Sequence, residues 1–121
     1  MDDKQLKILI CDDSLLVRKK LREILEGMGC AVLEAKNGLE GFDVYKNQHP
    51  DAVFMDIVMP EADGLQALKM IRKFDENAKV IMLSSTGTAS NLKEALKKGA
   101  YNFIQKPYNE EQIQKVIASI R

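Results

Sequence analysis

The sequence predicts an α/β domain: a parallel five-stranded sheet with helices on both faces. Two observations carry this expectation. First, five short runs rich in Val, Ile, Leu and Met alternate with five segments whose apolar residues recur every three or four positions. Strand-helix alternation of this kind implies parallel strands, which need crossover connections, and right-handed crossovers dominate. Second, the runs are almost continuously apolar, as strands covered on both faces are.

In chain order, Lys7-Ile-Leu-Ile-Cys11 is the first strand and runs into Asp12-Asp13. Ser14 is placed to cap a helix whose stripe is Val17, Leu21, Ile24, Leu25 and Met28, with Gly27 and Gly29 marking its end. Ala31-Val-Leu-Glu-Ala35 is the second strand and ends at Lys36-Asn37-Gly38. Leu39, Phe42 and Tyr45 give a weaker helical stripe, diluted by Gly38 and Gly41 and closed by Pro50. Ala52-Val-Phe-Met55 runs into Asp56, and a helix with Leu65, Leu68 and Ile71 follows Gly64. Lys79-Val-Ile-Met-Leu83 runs into Ser84, and Leu92, Ala95 and Leu96 precede Gly99, a C-cap candidate. Asn102-Phe-Ile-Gln105 runs into Lys106-Pro107. Asn109 and Gln112 then approximate a capping box before Ile113, Val116, Ile117 and Ile120.

The totals bound the function. A chain of 121 residues is one domain, spanning 1–121, with room for a single core. Lys plus Arg and Asp plus Glu each number 18, so the net charge is zero and direct nucleic-acid binding is not expected. The apolar runs fall far short of the roughly 20 residues that span a bilayer, so no membrane role is expected. The polar start Met1-Asp-Asp-Lys-Gln5 does not read as a signal segment, which leaves a cytoplasmic location as the expectation. Cys11 closes the first strand and Cys30 precedes the second, so they fall at opposite ends of neighbouring strands. A strand length of about 15 Å against a bridging limit of about 7 Å makes both reduced core thiols. His49 stands alone and reads as a solvated loop residue.

Parallel open sheets bind ligands beyond the carboxyl ends of their strands. Asp12, Asp13, Asp56, Ser84 and Lys106 all fall there. Three carboxylates brought together repel, and a hard divalent cation such as Mg²⁺ relieves the repulsion through oxygen ligands. Lys106 adds a mobile positive charge for a phosphoryl oxygen, and Ser84 a short donor at the same rim. Singly, each has a plainer reading: Asp13 or Ser14 as a helix cap, Asp56 as a turn residue, Lys106 and Ser84 as solvated loop groups. Their joint placement at four of the five strand ends is what favours a cation-and-phosphoryl site.

With these residues in place, the chain resembles the receiver domains of two-component response regulators, over essentially its whole length. The motifs that carry the resemblance are Ile10-Cys-Asp-Asp-Ser14, Met55-Asp-Ile-Val-Met-Pro60 with Asp63-Gly64-Leu65, Met82-Leu-Ser84, and Gly99-Ala-Tyr-Asn-Phe-Ile-Gln-Lys-Pro107. The resemblance implies a doubly wound, flavodoxin-like (βα)5 fold with strand order 2-1-3-4-5. It implies that Asp56 accepts the phosphoryl group. Mg²⁺ would be held by Asp13, Asp56 and the backbone carbonyl of Val58, with Asp12 helping directly or through water. Lys106 would pair with the phosphoryl oxygens and Ser84 would donate a hydrogen bond to one of them.

The resemblance also implies a switch. Ser84 would move toward the phosphoryl group and Phe103 would fill the space it leaves. This changes the face made by the fourth helix, fifth strand and fifth helix. Lys106-Pro107 is expected to be cis. Two departures stand out: serine replaces the commoner threonine at 84, and Phe103 replaces a frequent tyrosine, so no phenol reaches a partner there. Val58 and Thr86 cannot position a water as a carboxylate or amide would, so unusually fast self-dephosphorylation is not expected.

The implied function is a phospho-accepting signalling switch rather than an enzyme. It would take its phosphoryl group from a sensor histidine kinase or histidine phosphotransfer protein and assist its own phosphorylation and dephosphorylation. It would act on a downstream protein target as a monomer or phosphorylation-dependent dimer. Arg18, Lys19, Lys20 and Arg22 on the first helix could be a docking area or simply a solvated face. Rival readings are a phosphorelay intermediate, a receiver cut from a longer DNA-binding regulator, and an aspartyl-phosphate hydrolase. The hydrolase is disfavoured because Val58 stands where a second acid would be needed. No G-x-G-x-x-G follows the first strand, so dinucleotide binding is not expected.

Overall fold

The computed structural model describes residues 5–57, 64–84 and 89–121. The elements alternate as the sequence predicts: β1 (Lys7–Cys11), α1 (Leu15–Gly27), β2 (Ala31–Ala35), α2 (Gly38–Gln48), β3 (Ala52–Asp56), α3 (Gly64–Phe74), β4 (Val80–Ser84), α4 (Ala89–Lys97), β5 (Asn102–Gln105) and α5 (Glu110–Ile120). All strand pairs are parallel, in the order β2-β1-β3-β4-β5. Strand order reverses at β1, where β2 lies on one side and β3 on the other, and crevices of this kind open at such switch points.

Strand side chains alternate between faces, which divides the interior into two cores. Leu9, Cys11, Val53, Met55, Val80 and Met82 pack with Tyr45, Ala67, Leu68, Ile71 and Ala95 from α2, α3 and α4. Ile8, Ile10, Ala52, Phe54, Ile81, Leu83 and Ile104 pack with Leu21 and Leu25 of α1 and with Ile113, Val116 and Ile117 of α5. The central strands β3 and β4 are buried throughout, while the edge strands β2 and β5 are only partly covered.

The caps follow local chemistry. Ser14 accepts from the Val17 amide to open α1, Asn37 accepts from Glu40 to open α2, and Asn109 with Gln112 forms a full capping box at α5. Gly29 and Gly99 leave their helices at φ 86° and 97°, in the left-handed region. Cys11 and Cys30 are both buried and unpaired with each other. Burial pushes both thiols up, most strongly at Cys11, where the charges of Glu40 and Asp12 add to it. His49 is exposed, ends α2 in the left-handed region, and stacks on Phe74.

Two helical stripes differ from expectation. In α2 the buried line is Gly38, Gly41 and Tyr45, while Leu39 is exposed. Gly41 is there for clearance: a Cβ on it would stand 2.5 Å from the Cys11 sulfur. In α4, Leu92 and Leu96 are both exposed, while Ala95 is fully buried. This helix lies over the sheet's outer margin, against β5, where one small side chain suffices for contact. Leucines at helical spacing there make an apolar outer surface, with Tyr101 also exposed.

Candidate functional site

Strand register brings the chemical residues together. Cys11 pairs with Met55, so the next residues, Asp12 and Asp56, emerge side by side from neighbouring strands. Asp56 in turn pairs with Leu83, one residue before Ser84. The Lys106 amide donates to the Ser84 carbonyl at 2.7 Å, which carries the lysine to the same rim. Asp12, Asp56 and Ser84 are buried, and Asp13 is exposed.

Carboxylate oxygens of Asp12, Asp13 and Asp56 all lie within 4.8 Å of one another. Lys106 reaches into this group: its Nζ is 3.1 Å from Asp12 Oδ2 and 3.8 Å from Asp56 Oδ1. One ammonium beside three carboxylates leaves the cluster net negative. This oxygen-only donor set, one member open to solvent, suits a hard divalent cation such as Mg²⁺ that retains waters. Lys106-Pro107 is cis. Val58, expected to add a backbone carbonyl, and Thr86 lie outside the described residues.

Ser84 and Phe103 belong together by alternation. Met82 pairs with Phe103, both pack into the core on the α2–α3–α4 side, and Ser84 lies two residues beyond Met82 on that same face. Phe103 is half-buried. The structure therefore places a hydroxyl at the acidic rim and a partly exposed ring on one continuous face.

Two residues at this edge, Tyr108 and Glu34, were not singled out from sequence, and Arg18 was read there only as part of the basic cluster on the first helix. Tyr108, half-buried just after Pro107, has its phenol pushed up by burial and then by the charges of Asp12 and Asp56. Arg18 and Glu34 form an ion pair of 2.8 Å, with Arg22 on the other carboxylate oxygen. Burial opposes ionisation of Glu34, but hydrogen bonds and charge from Arg22 and Arg18 prevail and hold its carboxyl below the usual range. The basic cluster on α1 is therefore divided: Arg18 and Arg22 bind Glu34, and Lys19 and Lys20 are exposed. Adjacency of Tyr108 to Lys106-Pro107 was the available signal for the first; the Arg18–Glu34 pair needed the sheet register.

The comparisons with known proteins give the class of domain to which this fold and acidic edge belong. The response regulator receiver domain model matches residues 8–118, and the chain belongs to that family. It is 41% identical over 114 residues to chemotaxis protein CheY of Halobacterium salinarum, covering 94% of this chain and 95% of the relative. It is 32% identical to sporulation initiation phosphotransferase F of Bacillus subtilis, over 92% of this chain and 90% of that one. Among solved structures it is similar to one of a CheX–CheY–BeF3–Mg²⁺ complex from Borrelia burgdorferi. That likeness has a TM-score of 0.90 at 37% identity, over 95% of this chain and 88% of that one. Among the described residues no helix is long and apolar enough to cross a membrane.

Proposed function

We propose that residues 1–121 form one receiver domain that works as a phosphorylation switch, with Asp56 as the acceptor. The observation that carries this is the meeting of Asp12, Asp13 and Asp56 within 4.8 Å, with the Lys106 ammonium against two of them. Phosphoryl transfer depends on positioning and charge neutralisation more than on covalent assistance, and this edge offers both.

In the proposed reaction an Asp56 carboxylate oxygen forms a bond to phosphorus as the donor's phosphorus–nitrogen bond breaks. The electron pair leaves on the imidazole of a histidine kinase or histidine phosphotransfer protein. The product is an acyl phosphate, covalent but labile. Asp12, Asp13, Asp56 and the Val58 carbonyl would hold Mg²⁺, which supplies neutralisation of the phosphoryl charge when bound. Lys106 would pair with phosphoryl oxygens, and the Ser84 hydroxyl would donate to one. The domain assists its own phosphorylation and dephosphorylation and is otherwise no enzyme.

Output would pass through the α4–β5–α5 face to a cytoplasmic protein target. The shared face of Ser84 and Phe103 supports this, as do Leu92 and Leu96, exposed on α4 packed against β5, and Tyr101, exposed just before β5. The similarity to a sporulation phosphotransferase favours a second reading, in which Asp56 relays its phosphoryl group to another histidine protein. Dependence of output on such a protein separates the two.

The test is incubation with acetyl phosphate and Mg²⁺, followed by intact mass. Wild type should gain one phosphoryl group only with Mg²⁺, and Asp56→Asn should gain none. An unchanged wild-type mass would overturn the assignment.

A further inference from the structure

Asp12 is fixed at four points. Its amide donates to the Ala35 carbonyl at 3.1 Å, its Oδ1 accepts from the Ser14 amide at 2.9 Å, and its Oδ2 accepts from Lys106 at 3.1 Å. The fourth point is its own backbone carbonyl, which accepts from Arg18 Nη1 at 2.6 Å. That carbonyl belongs to the peptide joining Asp12 to Asp13. A turn of this peptide would swing the Asp13 carboxylate away from Asp56. Asp13 is exposed, and packing restrains it little.

Arg18 is itself held. Its Nε donates to Glu34 Oε1 at 2.8 Å, and Arg22 holds the other oxygen of the same carboxylate. Glu34 sits on β2 opposite Ile10, two residues before Asp12 on the neighbouring strand. Rigid sheet register thus fixes the carboxylate, the carboxylate fixes the planar guanidinium, and the guanidinium fixes the carbonyl. The side chain of Arg18 is only 13% exposed, so the contact is shielded from competing water.

Charge alone does not explain the arrangement. A bare cation at the acidic edge would compete with a divalent ion, but Glu34 offsets the charge of Arg18 and leaves a directed donor with little net field. Resting on the reading of Asp12, Asp13 and Asp56 as the divalent-cation site, we propose that Arg18, clamped by Glu34, is a positioning residue. It holds the Asp12–Asp13 peptide in the orientation that binds the cation.

The experiment is a Mg²⁺ titration of the whole unphosphorylated chain by calorimetry, with urea unfolding of each variant alongside. Arg18→Lys keeps the charge but loses the fork, Arg18→Ala loses both, and Glu34→Gln removes the anion that holds the fork. Arg22→Ala, which loses a Glu34 contact without touching Asp12, controls for loosening of α1. Groups that orient metal ligands typically set affinity by about tenfold or more, so both Arg18 variants should weaken Mg²⁺ by that factor. Glu34→Gln should weaken it less, and Arg22→Ala should stay within about twofold of wild type.

Tighter binding in Arg18→Ala with no change in Arg18→Lys would mean that Arg18 acts by charge, overturning the proposal. Equal weakening by Arg22→Ala would overturn it too. Should Arg18→Ala fail to fold, Arg18→Lys and Glu34→Gln decide. A wild type with no Mg²⁺ binding that Asp13→Asn removes is a separate result, and it would overturn the site reading itself.

Discussion

Lys106 Nζ lies 3.1 Å from Asp12 Oδ2, which joins the end of β5 to the end of β1 across the whole width of β3 and β4. The contact places a cation where a divalent ion's charge is also needed, so the two compete. Replacing Lys106 by Met should tighten Mg²⁺ binding several-fold, since an ammonium within 4 Å of a carboxylate is worth about 1–4 kcal/mol before solvent screening. It should at the same time slow phosphoryl uptake about 10²-fold, because the charge that meets the transferring group is gone. Calorimetry and acetyl phosphate labelling read the two effects separately. Weaker Mg²⁺ binding in the variant would sink the competition argument.

Gly64 opens α3 directly behind Asp56, the proposed acceptor. Its amide donates to the Ile57 carbonyl at 2.8 Å, and a Cβ there would stand 2.0 Å from the Asp56 carbonyl oxygen and 2.8 Å from Ile57 Cα. All of these are backbone atoms that cannot swing aside. Gly64→Ala should therefore cost at least about 1–3 kcal/mol of stability, since overpacking a filled site forces backbone shifts. It should also slow labelling of Asp56, whose own carbonyl must move. A lowered urea midpoint at constant slope is the expected signature. Wild-type stability would show that α3 retreats freely.

How far the sequence carried depended on whether a residue's neighbours were local. The acidic edge was legible because each residue ends an apolar run, and parallel strands align those ends without further information. Cap chemistry at Ser14 and Asn109 was legible because the partner lies three residues away. The stripes of α2 and α4 were not. Apolar spacing says which side of a helix is hydrophobic, but not that Gly41 must clear Cys11 or that α4 overhangs the margin. Arg18 read as one of four surface charges because Glu34, which holds its guanidinium against the Asp12 carbonyl, meets it only once β1 pairs with β2.

Ser84→Ala separates chemistry from signal. Loss of one hydrogen bond of about 1 kcal/mol should slow labelling only about fivefold. The phosphorylated variant, however, lacks the hydroxyl expected to move, so Phe103 should keep its unphosphorylated environment. Ring and methyl signals around Phe103, Met82 and Leu96 report this by NMR, with and without beryllofluoride as the phosphoryl mimic. A wild-type-like shift of Phe103 in the variant would remove Ser84 from the switch.

The far end of α3 carries a pH-dependent tie. The Tyr45 hydroxyl donates to Asp75 Oδ2 at 2.7 Å, linking α2 to the end of α3. Tyr45 is pushed above its ordinary 10.0 by burial first, then by the bond to Asp75 and its charge. Asp75 is held below its ordinary 3.8 by the Tyr45 bond first, then by the Asn77 amide. For Asp75 the stabilisation is full above the ordinary value and drains as pH falls through the lower folded one, because the unfolded chain takes up its proton first. For Tyr45 it is full below the ordinary value and drains as pH rises toward the higher folded one, because the unfolded chain releases its proton first. Tyr45→Phe should lower stability at neutral pH by about 1 kcal/mol and flatten both slopes. Urea unfolding near about pH 3, 7 and 11 measures this, because the two linkages act on opposite sides of neutrality. A variant whose loss is the same at all three would mean that the bond contributes packing and not linkage.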